Sequence, residues 1–267
     1  MKDDFLKTLS ILQPYLDHMV IIGGWAVYIY HYYYASNPPP VTPLGTLDID
    51  FAVQKKIPLQ YPKSIDQLLI EAGYKPILGL DANPPAVKYK LENANIEIEF
   101  ITNQKGNERR LTEDIQGGLG AQKLKYINIL PGNCIYIKII DSLLNRDDIK
   151  LNVKVPHPGR FIFQKILASN DPHRRPPKSH KDIYYAFDLI ANYHELYNSI
   201  VEEINSLKTE FPSWYKRFVR ILSTLFESEL SDGPSILLSQ SPTFIPSNNV
   251  FRLSTYRKMQ QFIKDIK

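Results

Sequence analysis

Cysteine is almost missing from this chain. Cys134 is the single one in 267 residues. No disulfide can close within the chain, and a zinc site built on several thiolates is excluded. A lone cysteine suits a reducing compartment, and Cys134 itself is expected to act as a small buried hydrophobe. No run of 18 apolar residues occurs, so neither a transmembrane helix nor a membrane partner is expected. The opening Met1-Lys2-Asp3-Asp4 lacks the apolar core of a secretory signal. Together these absences lead to the expectation of a cytoplasmic protein.

What is present is enough apolar material for a sizeable core, with 43% hydrophobic and 12% aromatic residues. The length allows one large domain or two of ordinary size. The net charge of +4 is unevenly spread. Residues 1–140 hold 14 basic and 14 acidic side chains, whereas residues 141–267 hold 18 and 14. Between Arg146 and Lys181 nine basic residues face three acidic ones, which suits a polyanionic ligand such as a nucleotide or nucleic acid.

The organising stretch runs from Val20 to Val53. Val20–Ile22 reads as a short buried strand that ends in Gly23-Gly24, and Trp25 to about Tyr34 as a helix starting there. Glycine lets the backbone turn sharply and lets a ligand approach the amides, and the freed N–H groups of a helix start can hold a phosphate. The tyrosines at 28, 30, 32, 33 and 34 are expected to pack with partial exposure. Asn37–Pro43 contains four prolines and reads as an irregular loop. Thr46–Val53 is then a strand. Alternation points Asp48 and Asp50 to one face, while Ile49 and Phe51 point to the core. Two like charges side by side repel, and a divalent cation relieves that repulsion.

The flanking chain supplies further elements. A helix over Phe5–Leu16 is expected, capped by Asp3 or Asp4 and interrupted by Pro14. Another is expected over Pro62–Ala72, ended by Gly73. Ala86–Leu91 and Asn95–Ile101 read as strands around a turn at Glu92–Ala94. In the second, Ile96, Ile98 and Phe100 face the core, and Glu97 and Glu99 share the other face. Asn103–Gly120 reads as a mobile loop. Leu124–Leu130 and Cys134–Ile140 read as a strand pair around Pro131-Gly132-Asn133, followed by a helical turn at Asp141–Leu144 and a strand at Leu151–Val155. From about residue 155 the pattern turns helical. Helices are expected over Arg160–Ser169 with Pro158 at the start, then His180–Asn192, Leu196–Leu207, Ser213–Leu230 and Leu253–Ile266. The basic Asn170–Ser179 and the stretch Ser231–Asn249 read as loops.

In order along the chain, several of these pieces resemble the nucleotidyltransferase superfamily of the DNA-polymerase-β type. They are Gly23-Gly24-Trp-Ala, Thr46-Leu-Asp48-Ile-Asp50-Phe, Ile98-Glu99-Phe100-Ile101-Thr102, Pro156-His-Pro158-Gly-Arg160-Phe161 leading to Lys165-Ile166-Leu167, and Lys178-Ser-His-Lys181-Asp182. The set is most similar to the bacterial stand-alone branch that includes abortive-infection type toxins. Two departures stand out. The span from Gly24 to Asp48 is longer than the compact form, and Pro43-Leu44-Gly45 stands where relatives often carry an arginine.

The resemblance implies an α+β fold: a mixed sheet with flanking helices over residues 1–155, then a helical half over 156–267 that completes the cleft. It implies transfer of a nucleotidyl group from an NTP to a hydroxyl acceptor, with Mg²⁺ or Mn²⁺ as cofactor and pyrophosphate as product. Asp48, Asp50 and Glu99 would be the metal-binding and catalytic carboxylates, with Glu97 the competitor on the same face. Gly23 and Gly24 would receive the phosphates. Lys165, Lys178 and Lys181 would line the nucleotide side, with Asp182 orienting a lysine or helping the metal site. The acceptor stays open among an RNA end such as tRNA, a protein and a small molecule. Kinship with the toxins adds an antitoxin as an expected partner; a catalytically silent module that binds RNA or nucleotide is the alternative.

Overall fold

A computed structural model describes residues 2–79, 86–91, 96–106, 108, 110–140, 150–241 and 247–267. The turns expected at Glu92–Ala94 and Asp141–Leu144 lie outside these residues. The chain divides into two compact units. One comprises Met1–Tyr34 and Gly45–Pro156, the other Ala35–Leu44 and His157–Lys267.

The first unit is built on a mixed sheet. Its strands are β1 (Val20–Ile22), β2 (Asp48–Ala52), β3 (Lys75–Gly79), β4 (Ala86–Leu91), β5 (Ile96–Asn103), β6 (Thr112–Gln116) and β7 (Leu119–Leu124). The spatial order is β1-β2-β5-β4-β3, with β7 alongside the end of β5 and β6 alongside β7. β5 runs parallel to β2 and to β7, and the other pairs are antiparallel. The alternation of side chains divides the sheet as the sequence pattern implies. Ile49, Phe51, Tyr89, Ile96, Ile98 and Phe100 are buried on one face, where the Phe51 and Phe100 rings stack at 5.8 Å. The opposite face is polar at Asp48 and Asp50. It turns apolar one step on, where Ala52 and Ile101 join Val20, Ile22, Ile127 and Leu130 in a buried cluster.

Helices flank this sheet. α1 (Lys2–Ile11) brings Phe5 into a 3.8 Å stack with Trp25 of α2 (Gly23–Ile29). The expected single helix over Phe5–Leu16 stops at Ile11, and Gln13–His18, with Pro14 near its start, forms a tighter 3₁₀ turn, because proline blocks the α-helical hydrogen bond. Asp3 and Asp4 lie in the first turn of α1. α2 passes into a wider π-type turn at Tyr30–Tyr34. α3 (Ile65–Glu71) is shorter than expected because Ser64 caps it reciprocally with Gln67, a Ser-x-x-Gln signature.

Three other expectations are corrected. The Asn103–Gly120 loop contains β6 and the start of β7. Buried Ile115 and Leu119 anchor them, and Gly117 and Gly118, at φ +50° and +103°, close the tight turn between them. Leu124–Leu130 is no strand: β7 ends at Leu124, and Ile127–Gly132 is a 3₁₀ turn. A short apolar run does not by itself distinguish these states. The partner of β8 (Cys134–Ile140) is β9 (Lys150–Pro156), in a separate two-stranded sheet. Finally, β3 was not apparent because of Pro76; it is an end strand of the sheet order, where proline is tolerated. Cys134 is half-buried, with Sγ 3.7 Å from the Leu130 carbonyl oxygen.

The second unit is helical: α4 (Pro158–Ser169), α5 (Lys178–Asn192), α6 (Tyr197–Glu210), α7 (Pro212–Leu225), α8 (Asp232–Gln240) and α9 (Asn248–Asp265). α8 lies inside the expected Ser231–Asn249 loop; its Leu237 is fully buried and Pro234 falls in its first turn, where proline is tolerated. Gly159 lets α4 approach α6, since a Cβ there would sit 2.9 Å from Glu203 Cβ and 3.0 Å from the Ile200 carbonyl oxygen. Arg160 then bridges the same helices, donating from Nε to Glu203 at 2.6 Å and from both terminal nitrogens to Glu210 at 3.2 and 2.5 Å. The Pro-rich segment 35–44 belongs to this unit. Asn37 N–H donates to Glu195, and the Tyr185 hydroxyl to the Leu44 carbonyl.

Candidate active site

The site begins with a backbone requirement. Gly23 follows β1 directly and has φ +67°, a left-handed conformation that glycine adopts without penalty. The carboxylate of Asp50 lies against its Cα, where a Cβ would be 3.3 Å from Asp50 Cγ and closer still to Oδ2. The register explains this approach, because Ile22, the residue before Gly23, pairs with Asp50.

The parallel register of β2 and β5 brings the acidic residues into two rows. Asp48 is opposite Glu97, and Asp50 opposite Glu99. All four are on the face away from the Phe51–Phe100 stack, with Asp48 exposed and Asp50 half-buried. β4 extends both rows with lysines, Lys88 opposite Glu99 and Lys90 opposite Glu97. Lys88 Nζ donates to Glu99 in a very short ion pair, and Lys90 is 3.4 Å from Glu97. Burial works to lower the Lys88 pKa. The hydrogen bond and charge of Glu99, with the charges of Glu97 and Asp48, outweigh it and hold the amine above its ordinary value.

These lysines were not singled out from sequence. The signal was available: Lys88-x-Lys90 and Glu97-x-Glu99 alternate on strands that fold back on each other, and opposite charges directly across an antiparallel pair attract. Among the described residues no three His, Cys, Asp or Glu side chains converge as a metal-holding group. The donor chemistry nevertheless suits a hard divalent cation. Every candidate ligand is a carboxylate oxygen, and Mg²⁺ commonly takes only one or two carboxylates, leaving the rest of its shell to water and substrate phosphates.

In the second unit the candidate residues are arranged by Asp182. It is 1% exposed and accepts from Lys165 Nζ at 2.7 Å. Arg174, from the loop before α5, donates to both of its oxygens, at 3.1 Å from Nη2 and in a shorter contact from Nε. Lys165 is itself buried, 5.4 Å from the Phe161 ring centroid and 5.9 Å from that of Tyr185. Lys181 Nζ lies 5.5 Å over the Tyr185 ring, and Lys178 begins α5. Arg174 was missed in sequence because only the net charge of its loop was read. His157 caps α4: Nδ1 accepts from Gly159 N–H at 3.2 Å, and Nε2 is 2.9 Å from Ser199 Oγ.

The tyrosines after α2 do pack with partial exposure. Tyr30 is buried, Tyr32 is exposed, and Tyr28 is 4.4 Å from the Tyr32 ring. No helix among the described residues is long and apolar enough to cross a membrane.

No curated protein matches the chain significantly in sequence. A solved structure, that of an antigenic nucleotidyltransferase-like protein from Paracoccidioides brasiliensis, aligns over 81% of this chain and 92% of that one. It does so at 15% identity and a TM-score of 0.32. A family model described as nucleotidyltransferase matches residues 2–206, which take in the Gly23 turn, both acidic strands and the Lys165–Asp182 pair. The chain belongs to this nucleotidyltransferase family.

Proposed function

We propose that the protein is a metal-dependent enzyme that transfers a nucleotidyl group from an NTP to a hydroxyl acceptor. The observation that supports this reading best is the register Asp48–Glu97 and Asp50–Glu99, which lines four carboxylates along one face beside the glycine turn packed on Asp50. A protein that only binds a polyanion gains nothing from this concentration of negative charge.

In the reaction, the acceptor oxygen forms a bond to the α-phosphorus, and the bond from that phosphorus to the bridging oxygen breaks. Pyrophosphate leaves with the electron pair. Asp48 and Asp50 are the residues that would hold Mg²⁺ or Mn²⁺; when bound, such a cation offsets charge on the phosphate oxygens and orients them. Glu99 would take the acceptor proton or help hold the metal, and Glu97 is its competitor for either role. Gly23 and Gly24 receive the phosphates on backbone N–H groups. The resemblance assigns Lys165, Lys178 and Lys181 to the nucleotide's charge. Asp182 would then act by orienting Lys165.

The test is incubation with each labelled NTP and fractionated cell extract, with and without EDTA. Label should appear in one class of RNA, protein or small molecule, depend on divalent metal, and vanish in Asp50→Asn. Binding of RNA that survives Asp48→Asn and Asp50→Asn, with no transfer by the parent, would replace this reading with that of a binding module.

A further inference from the structure

We infer that Lys88 is a positioning residue: its ammonium holds Glu99 in place and competes with the incoming divalent cation for that carboxylate. The inference rests on the metal-dependent reading above and deepens it.

Three observations carry it. First, the acidic face has internal cations, placed by register. Each row runs lysine, glutamate, aspartate across β4, β5 and β2: Lys88–Glu99–Asp50 and Lys90–Glu97–Asp48. Second, the two rows are unequal. Glu99 has 16% of its side chain exposed and sits in a short contact with Lys88, whereas Glu97 has 29% exposed and is 3.4 Å from Lys90. A less solvated pair is less screened and fixes its partner more firmly. Third, Lys88 and Lys90 share one face of β4 two residues apart, so the Lys88 ammonium adjoins the second acidic row as well as its direct partner.

A carboxylate oxygen that accepts from an ammonium cannot bind a metal ion with the same lone pair. Lys88 takes Oε1 of Glu99. A cation that binds the remaining lone pairs of that carboxylate is opposed by the charge of the ammonium beside it, and Glu99 holds the cation in full only as the Lys88 contact opens. Until then Lys88 limits repulsion on the face and keeps Glu99 from turning away. The two functions trade off: the protein without metal is better ordered, and its affinity for free metal is lower.

The experiment is Mn²⁺ binding to the full-length protein without nucleotide, by electron paramagnetic resonance of the free ion, for the parent, Lys88→Met, Lys88→Arg and Lys90→Met. Lys88→Met should bind Mn²⁺ about fivefold more tightly, the order expected when one partly exposed ion pair is removed. Lys88→Arg should restore the parent affinity. Lys90→Met should shift it less than Lys88→Met, and the gain of Lys88→Met should disappear when Glu99→Gln is added. Unchanged or weaker Mn²⁺ binding in a folded Lys88→Met overturns the inference, as does an equal gain in Lys90→Met or a gain that persists with Glu99→Gln. Absence of Mn²⁺ binding in the parent and in Lys88→Met alike overturns the inference, and the metal-dependent reading falls with it only if transfer also survives EDTA. Mn²⁺ bound by the parent with equal affinity in Lys88→Met overturns the inference alone.

Discussion

A methyl group on Gly23 would overlap the carboxylate of Asp50. The glycine turn and the aspartate strand are thus one packed unit: the left-handed backbone at Gly23 is what permits the approach. Gly23→Ala meets two penalties. A left-handed conformation costs an L-residue with a Cβ roughly 1–2 kcal/mol, and Asp50 must also move. The expected result is a loss of at least that size in urea-unfolding free energy. A crystal structure of the variant should show Asp50 displaced, with transfer activity down far more than stability alone accounts for. An Asp50 that stays in place in the alanine variant would contradict this coupling.

The four carboxylates should separate by role. Asp48→Asn and Asp50→Asn are expected to remove transfer by two orders of magnitude or more, as loss of groups that stabilise charge in the transition state does, at about 1.4 kcal/mol per tenfold. Both variants should stay folded, because removing one of two like charges on a strand face relieves repulsion. Glu99→Gln should resemble them in lowering kcat, and Glu97→Gln should leave most of kcat. Single-turnover rates at saturating NTP and Mg²⁺ make the comparison. The reverse order would make Glu97 the third carboxylate.

The acidic face was legible because its signal is local. Asp48-Ile-Asp50 and Ile96-Glu97-Ile98-Glu99-Phe100 alternate with period two, and a period of two places side chains on faces without reference to anything distant. Adjacency is not in the period: it came from the resemblance, which groups Glu99 with Asp48 and Asp50, and the pairing of β2 with β5 bears it out. β2 and β5 are parallel and more than forty residues apart, and nothing in either strand names its partner. The lysines of β4 became meaningful only once that neighbourhood was known. Elsewhere the errors have distinct causes. Pro76 hid an end strand, two glycines hid a hairpin turn as a loop, and Leu124–Leu130 was apolar enough for a strand but turned at Tyr126, whose φ is 67°. In the helical unit the long amphipathic stretches were readable. The bond from Lys165 to Asp182 was partly so, and the Arg174 contact was not, since a loop arginine has no periodicity to place it.

Asp182 is expected to matter for stability as well as reaction. It is almost fully buried and binds two cations, one of which, Lys165, is buried too. Asp182→Ala removes the carboxylate that Lys165 and Arg174 share, and breaking a buried pair in this way costs about 3–5 kcal/mol. Lys165→Met should cost less, because Arg174 still satisfies Asp182. Glu71→Ala is the control: its pair with Lys63 is more than half exposed on both sides, and loss of such a pair is worth about 0–1 kcal/mol. Guanidinium unfolding of the three variants should rank them in that order.

The pH dependence of stability should point to His157. Burial pushes its pKa below the ordinary histidine value; the charge of Glu203 opposes this and that of Arg160 adds to it. The contacts agree with a neutral ring, since Nδ1 accepts the Gly159 N–H and Nε2 faces the Ser199 hydroxyl. With the folded-state pKa depressed, the unfolded chain binds the proton first as pH falls below about 6.5. Stability is therefore full above that pH and is lost on acidification toward the folded-state pKa, because it rises with pH wherever the unfolded state holds more protons. His31, also lowered by burial, contributes with the same sign. Urea midpoints between pH 7.5 and 5.5, above the main carboxylate range, should fall for the parent. In His157→Gln they should fall less steeply from a lower starting value, since the substitution removes the titrating ring and weakens the helix cap. A slope unchanged in His157→Gln would assign the acid sensitivity to His31.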